Sequence, residues 1–275
     1  IAIASPSPLS ETVPTATFAP LETPTPDATQ TAAMEPTVVG RQGPWGLLQA
    51  PDGLWGMNAD GSGLVKLMDG SGENHSLLLA AAPAGGRAAF ISTSAGSGKR
   101  TFRLNLVSLP GGKIDALADL VTVPDTSQPG SPDLDASLAL QVPGGLDWSP
   151  DGGRLVFLGM MDGVSSDVYL YSTEDQKITR LTDEPGHAFG LSYSPDGRYV
   201  FFMEANSFGT GAGYSLAGAW VVDMANFNVS RLATPESTQE LVGWASRDTI
   251  LVNSWSADCG KNHLRKISIL QGTET

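Results

Sequence analysis

Cysteine is all but missing: Cys259 stands alone in 275 residues, so no internal disulfide can form. Charge is sparse as well, at 16% of residues, and positive charge is sparser still. Sixteen Lys and Arg face 29 Asp and Glu, a formal net charge of −13. An acidic surface weighs against binding a nucleic-acid backbone or an anionic membrane face. No apolar run approaches the roughly 20 residues that cross a bilayer as a helix. Histidine is limited to His75, His187 and His263, which read as solvated loop residues rather than metal ligands, and Cys259 with His263 alone supplies too few ligands for a zinc centre. No cofactor is implied.

What is present is β-type patterning. Residues 146–183 hold four short runs rich in Val, Leu, Phe, Tyr and Ile, and none carries helical spacing. Three turns separate them. The first, Pro150-Asp151-Gly152-Gly153, has a mechanism: Pro presets φ, and Asp-Gly tolerates positive φ. A single four-stranded meander buries one face well and should not stand alone.

The unit recurs. Ser194-Pro195-Asp196-Gly197 repeats Ser149-Pro150-Asp151-Gly152, with Tyr193 where Trp148 stood, and Arg231-Leu232 answers Arg180-Leu181. Upstream, 79–91 aligns through Pro83, Gly85, Gly86, Arg87 and Phe90; downstream, 242–252 restores the aromatic at Trp244 but replaces the turn with Ser246-Arg247-Asp248. A period of about 45 residues built from four strands is the signature of a propeller blade. These repeats, and the Asn58-Ala59-Asp60-Gly61 turn within 53–68, resemble the TolB-type propeller repeat over residues 45–269. The resemblance implies an all-β propeller of four-stranded antiparallel blades. About five are recognisable, the first lacking its inner strand and the last most of its outer one. Either strands from both termini complete one blade, or the ring continues beyond this sequence. The domain is expected over 44–275, with no helix longer than two turns.

Residues 1–43 are different material: prolines interleaved with Thr and Ser, and Phe18 the only aromatic. Such a segment cannot bury enough apolar surface to offset its ordering entropy, and it reads as a linker or envelope stalk without packed contacts. Ala2-Ile3-Ala4 has the small-x-small form of a signal-peptidase site, and an arbitrary boundary is the other reading. Together these suggest an extracytoplasmic protein with an N-terminal tether.

In such a meander the first-to-second and third-to-fourth turns share one rim, and they are short here. The other rim takes the second-to-third connections and the links between blades. Every long insertion maps there: 93–101, 121–144, 160–167, 205–218 and 256–263, with all three histidines and Cys259. Long loops on a rigid scaffold commonly carry binding. Tyr214, His187, Asp258 and His263 are therefore the candidate contacts for a protein or glycan partner. Open blade edges offer a second mode, self-association. Trp148, Tyr193 and Trp244 recur at one inner-strand position and are expected to pack between blades rather than stack on a ligand.

Two motif look-alikes fail on context. Residues 97–101 suggest a phosphate loop but lack its first Gly, its Ser/Thr and a following helix. Gly213-Tyr214-Ser215-Leu216-Ala217 lacks the last Gly of a nucleophile elbow and its strand-to-helix setting. Three functional readings stay open. The first is a non-catalytic exported binding propeller. The second is the accessory propeller of a prolyl-oligopeptidase-type hydrolase. The third is a five-bladed glycosidase, although Asp147 and Glu240 are the only acids on the expected inner strands.

Overall fold

The computed structural model describes residues 2–3, 43–70, 75–209, 213–232, 238–256, 260–270 and 273–274. It contains five four-stranded antiparallel sheets in chain order. The first comprises β1 (Ala2–Ile3), β2 (Trp45–Ala50), β3 (Gly53–Asn58) and β4 (Val65–Asp69). The second comprises β5 (Ser76–Ala81), β6 (Arg87–Gly96), β7 (Lys99–Ser108) and β8 (Lys113–Pro124). Then come β9 (Leu146–Trp148), β10 (Arg154–Gly159), β11 (Asp167–Ser172) and β12 (Ile178–Arg180). The fourth holds β13 (His187–Tyr193), β14 (Tyr199–Gly209), β15 (Gly213–Asp223) and β16 (Asn228–Arg231). The fifth holds β17 (Thr238–Ser246), β18 (Thr249–Ser256), β19 (Lys261–Ser268) and β20 (Thr273–Glu274).

The first strands of the sheets touch in series, β1 to β5, β5 to β9, β9 to β13 and β13 to β17. Side chains stitch that series together. Gln49 Nε2 donates to Leu77 O at 2.7 Å, and Trp148 Nε1 to Ala80 O at 3.0 Å. The backbone N–H of Tyr193 donates to Asp147 Oδ2 at 2.8 Å, and Trp244 Nε1 to Ser192 Oγ at 3.1 Å. The recurring aromatics thus fill the space between sheets, as their spacing predicts. The core is the stack of faces between them, with Phe90, Phe157, Tyr169, Phe201 and Phe202 among its largest buried members.

The repeated turn has a repeated cause. Ser149 Oγ donates to Asp151 Oδ1 at 2.6 Å and accepts the Arg154 N–H at 2.9 Å; Ser194 does the same toward Asp196 and Tyr199. Gly152 and Gly197 take φ of 68° and 71°, the left-handed region that a side chain resists. In the fifth sheet the Ser-Asp contact survives between Ser246 and Asp248 although Pro and Gly are gone.

Four expectations need correction. A ten-residue helix, α1 (Pro132–Gln141), stands in the 121–144 insertion. Its cause is local: Pro at the first turn, Asp133 and Asp135 near the positive helix end, then Ala and Leu, while the Ser131 hydroxyl at the N-cap makes no capping bond. The first and fifth sheets are not incomplete, because β1 and β20 supply their missing strands. Ala2–Ile3 also contradicts a tail free of packed contacts: it pairs with Gly46 and Leu47. An unpaired inner edge on β2 would leave backbone groups unsatisfied, and any nearby extended segment can supply them. Finally, 93–101 is not a loop but a strand extension, β6–β7 turning at Ser97-Gly98, and the described residues of 205–218 are strand as well, β14 continuing to Gly209 and β15 starting at Gly213.

Candidate functional site

The long rim is most developed over the third and fourth sheets, where α1 settles against β8, β10, β13 and β14. Asp135 of α1 is buried, and its Oδ2 accepts the Phe208 N–H at 3.2 Å, fastening the helix to the β14 extension. Phe208 meets the His187 ring edge-on at 6.3 Å and Phe189 at 5.5 Å. Tyr214 closes this cluster, 4.5 Å from Phe189 and 5.8 Å from Phe208.

Two predicted contact residues are therefore joined by two phenylalanines that sequence reasoning passed over. The signal for Phe208 was its place in the insertion and its apolar size among Ser and Gly. Tyr214 is half-buried and folds onto this cluster, so it is held by a local core after all. His187 is buried too, which makes it a structural residue of the rim. His263 lies elsewhere, exposed on β19 opposite Ser254. Asp258, like Cys259, falls outside the described residues.

Ser166, His187 and Asp135 bring together the residue types of a hydrolytic triad, yet their bonds are wrong for one. His187 Nδ1 accepts the backbone N–H of Ser166 at 3.1 Å, while the Ser166 hydroxyl donates to Ala188 O at 2.6 Å. A nucleophile must offer its hydroxyl to the imidazole and be reachable by substrate. Ser166 does neither, being fully buried. Burial holds the His187 pKa below its ordinary value, against the weaker pull of Asp135.

Beside this cluster, Arg180 serves three carboxylates. Its Nη2 donates to Asp167 Oδ2 at 2.7 Å and to Asp183, and its Nε lies 3.6 Å from Asp162, which also accepts the Tyr169 hydroxyl. Thr182 Oγ1 donates to Asp167 Oδ1 at 3.1 Å and accepts the Val168 N–H at 3.0 Å. Burial pushes Asp167 up to about 6, because Arg180 divides its charge among three acids and does not fully offset desolvation. Glu204, also buried, accepts Trp220 Nε1 at 2.7 Å and the Gly186 N–H at 2.9 Å. These bonds fix the rim's backbone.

A cleft of about 280 Å³ opens between α1 and the β7–β8 extension, lined by Arg100, Phe102, Pro124, Asp125, Leu134 and Ser137. Among the described residues no group of three or more His, Cys, Asp or Glu could hold a metal ion. No helix among them is long and apolar enough to cross a membrane. Gly213–Ala217 lies within β15, not at a strand-to-helix turn, and the 97–101 stretch leads into strand rather than helix.

Comparison with known proteins bears on architecture. The chain aligns with 84% coverage on dipeptidyl peptidase 4 of Porphyromonas gingivalis, at 9% identity and a TM-score of 0.52. The fold is a β-propeller. At that identity the likeness extends to fold alone, and the chain spans 39% of that enzyme. TolB of Acinetobacter baumannii superposes over 81% of the chain and 47% of its own length, at 17% identity and a TM-score of 0.48. In sequence, an uncharacterized protein of Agrobacterium fabrum is 42% identical over 60 residues, 22% of this chain and 20% of that one. No family model matches the chain.

Proposed function

We propose that the chain is a non-catalytic propeller module that binds a protein or glycan partner through its long rim. The observation that carries this reading is the convergence of α1 with the β6–β7 and β14–β15 extensions on one side of the sheets. Those extensions add surface that joining two strands does not require, and buried polar bonds hold them in place. The opposite rim keeps tight Asp-Gly turns. The Pro and Thr content of residues 1–43, whose Ala2–Ile3 pairs with β2, is in keeping with a module that works outside the cytoplasm.

Screening the chain against a glycan array and a displayed peptide library tests the reading. Recovered ligands should bind the Tyr214→Ala variant more weakly by about 2 kcal/mol, the size of an interfacial hot spot, with a melting curve reading separately the packing that Tyr214 gives Phe189 and Phe208. Shortening both hairpin extensions should abolish binding. Ligands that tolerate both changes yet are lost on altering the Asp-Gly turns would overturn it.

A second reading draws support from the likeness to dipeptidyl peptidase 4: the chain as accessory propeller of a serine hydrolase. Reading the gene beyond Thr275 separates the two, since a strand-borne G-x-S-x-G elbow would favour the hydrolase.

A further inference from the structure

On the short rim, away from α1 and the hairpin extensions, a cleft of about 490 Å³ opens between the third and fourth sheets. That volume is in the range of small-ligand sites. Asp151, Arg154, Ser172, Thr173, Glu174 and Asp196 line it. The first five belong to the Pro150–Gly153 and β11–β12 turns of the third sheet, and Asp196 to the repeated turn of the fourth. The two repeated turns lie against each other, since a Cβ on Gly197 would sit 3.1 Å from Pro150 Cδ.

The hydroxyl donors of this lining are spent within the protein. Ser149 Oγ donates to Asp151 Oδ1 at 2.6 Å, Thr173 Oγ1 donates to Gly153 O at 3.0 Å, and the Ser172 hydroxyl donates to Asp175. Acceptors are left over. The turns engage Oδ1 of Asp151 and Oδ1 of Asp196, and among the described residues Oδ2 of each carries no bond. Glu174 stands exposed at the wall. Three carboxylates therefore face Arg154, the cation of the lining, with Arg247 acting on Asp196 from the fifth sheet.

A second observation comes from beneath the cleft. Tyr193 is 6% exposed, and among the described residues its buried hydroxyl has no hydrogen-bond partner. Trp148, at the same inner-strand position one sheet earlier, turns its ring to the preceding sheet. Tyr193 does likewise: the charged groups that act on its phenol are Arg154, Asp147 and Asp151, all of the third sheet. The hydroxyl is thus aimed at the wall that Arg154 and Asp151 form. A buried hydroxyl is costly unless it is bonded, and here the bond has to come from outside the chain. We propose that this cleft binds an alkylammonium group, which takes its acceptors from Asp151, Glu174, Asp196 and the Tyr193 hydroxyl. An ammonium carries three donors and no acceptor, the complement of a lining whose own donors are committed. Among the described residues no three acids are placed to hold a metal ion, which favours an extended organic cation over a bare one. The ammonium is supplied by a lysine side chain of a protein or by a free amine.

NMR titration of the full chain, followed at the Gly153 and Gly197 amides, tests this with two probes, N-acetyl-lysine methylamide and butylamine. Both amides should shift and saturate. Saturation by the blocked lysine assigns the site to a protein-borne ammonium, and saturation by butylamine alone to a free amine. Glu174→Gln and Asp196→Asn, which keeps the Oδ1 acceptor of its turn, should each raise the Kd roughly fivefold. Asp69→Asn removes an exposed charge on the first sheet and should leave the Kd unchanged. Tyr193→Phe should also raise the Kd, at a melting temperature no lower than the wild type, because the hydroxyl has no bond within the fold to lose. Amides that stay in place with both probes overturn the proposal. An Asp69→Asn effect equal to that of Glu174→Gln also overturns it, since binding would then be the general attraction of a chain of net charge −13. So does a neutral polyol, sorbitol, that moves the same amides as strongly at the same concentration.

Discussion

The indole N–H of Trp148 reaches from β9 to the carbonyl of Ala80 on β5 at 3.0 Å, binding the third sheet to the second through their innermost strands. Trp148 is nearly fully buried, so both its bond and its volume count. Trp148→Phe should cost about 1 kcal/mol for the lost bond, with the Ala80 carbonyl left unpaired. Trp148→Ala should cost about 3–5 kcal/mol, since a cavity adds to the transfer loss. Urea denaturation checks both, and Trp244→Phe, at a half-buried site, should cost less than Trp148→Phe.

Gly152→Ala and Gly197→Ala should each destabilise by about 1–2 kcal/mol, the strain of holding a side chain at positive φ. Gly197 should be the worse site. A Cβ there would sit 3.1 Å from Pro150 Cδ, against 3.4 Å from Ala84 Cβ at Gly152. Equal losses by thermal melting would show that backbone strain alone decides.

Asp167 should make the fold less stable as pH rises from about 4 to about 6. Its folded pKa is raised from 3.8 to about 6, so in that window the native state holds a proton the unfolded chain has released. The contribution is fully present below the unfolded value and is lost as pH rises through the folded one. Asp167→Asn should therefore gain on the wild type across this window by on the order of 2–3 kcal/mol. Denaturant midpoints at both ends measure it; a flat difference would place the Asp167 pKa near its ordinary value.

His187 has the opposite sign. Its folded pKa is depressed, so the unfolded chain takes up the proton first as pH falls below 6.5. Stability from a neutral His187 is present above that point and declines as pH falls toward the folded pKa. His187→Phe should flatten that decline, and proton NMR of the imidazole should show the low pKa directly.

The sheets were legible because local chemistry dictates them. Ser-Pro-Asp-Gly turns, alternating apolar strands and an aromatic at a fixed position mark residues 146–183 and 187–231 without reference to the rest of the chain. The helix has a local signal as well, in Pro132, Asp133 and the following Ala-Leu run, which the reading of 121–144 as a plain insertion missed. The hairpin extensions were hidden for a physical reason. Ser94, Ala95 and Gly96 have little strand preference, and they hold strand form because each pairs with a residue of β7. Likewise, nothing local tells that His187 is buried under Phe208 or that Asp135 reaches β14. Those are contacts between distant segments, set by how one sheet leans on the next.

Among the described residues, the inner-strand stitches run between neighbours in the series, from Gln49 to Leu77, Trp148 to Ala80, Tyr193 to Asp147 and Trp244 to Ser192. Energetic communication is correspondingly short-ranged, as in other repeat architectures. Damage at Leu54 and damage at Ile267 share no partner, so their costs should simply add, whereas Trp148 and Ala80 should be non-additive. A molecule wired this way can accumulate change in one repeat while its distant repeats remain indifferent.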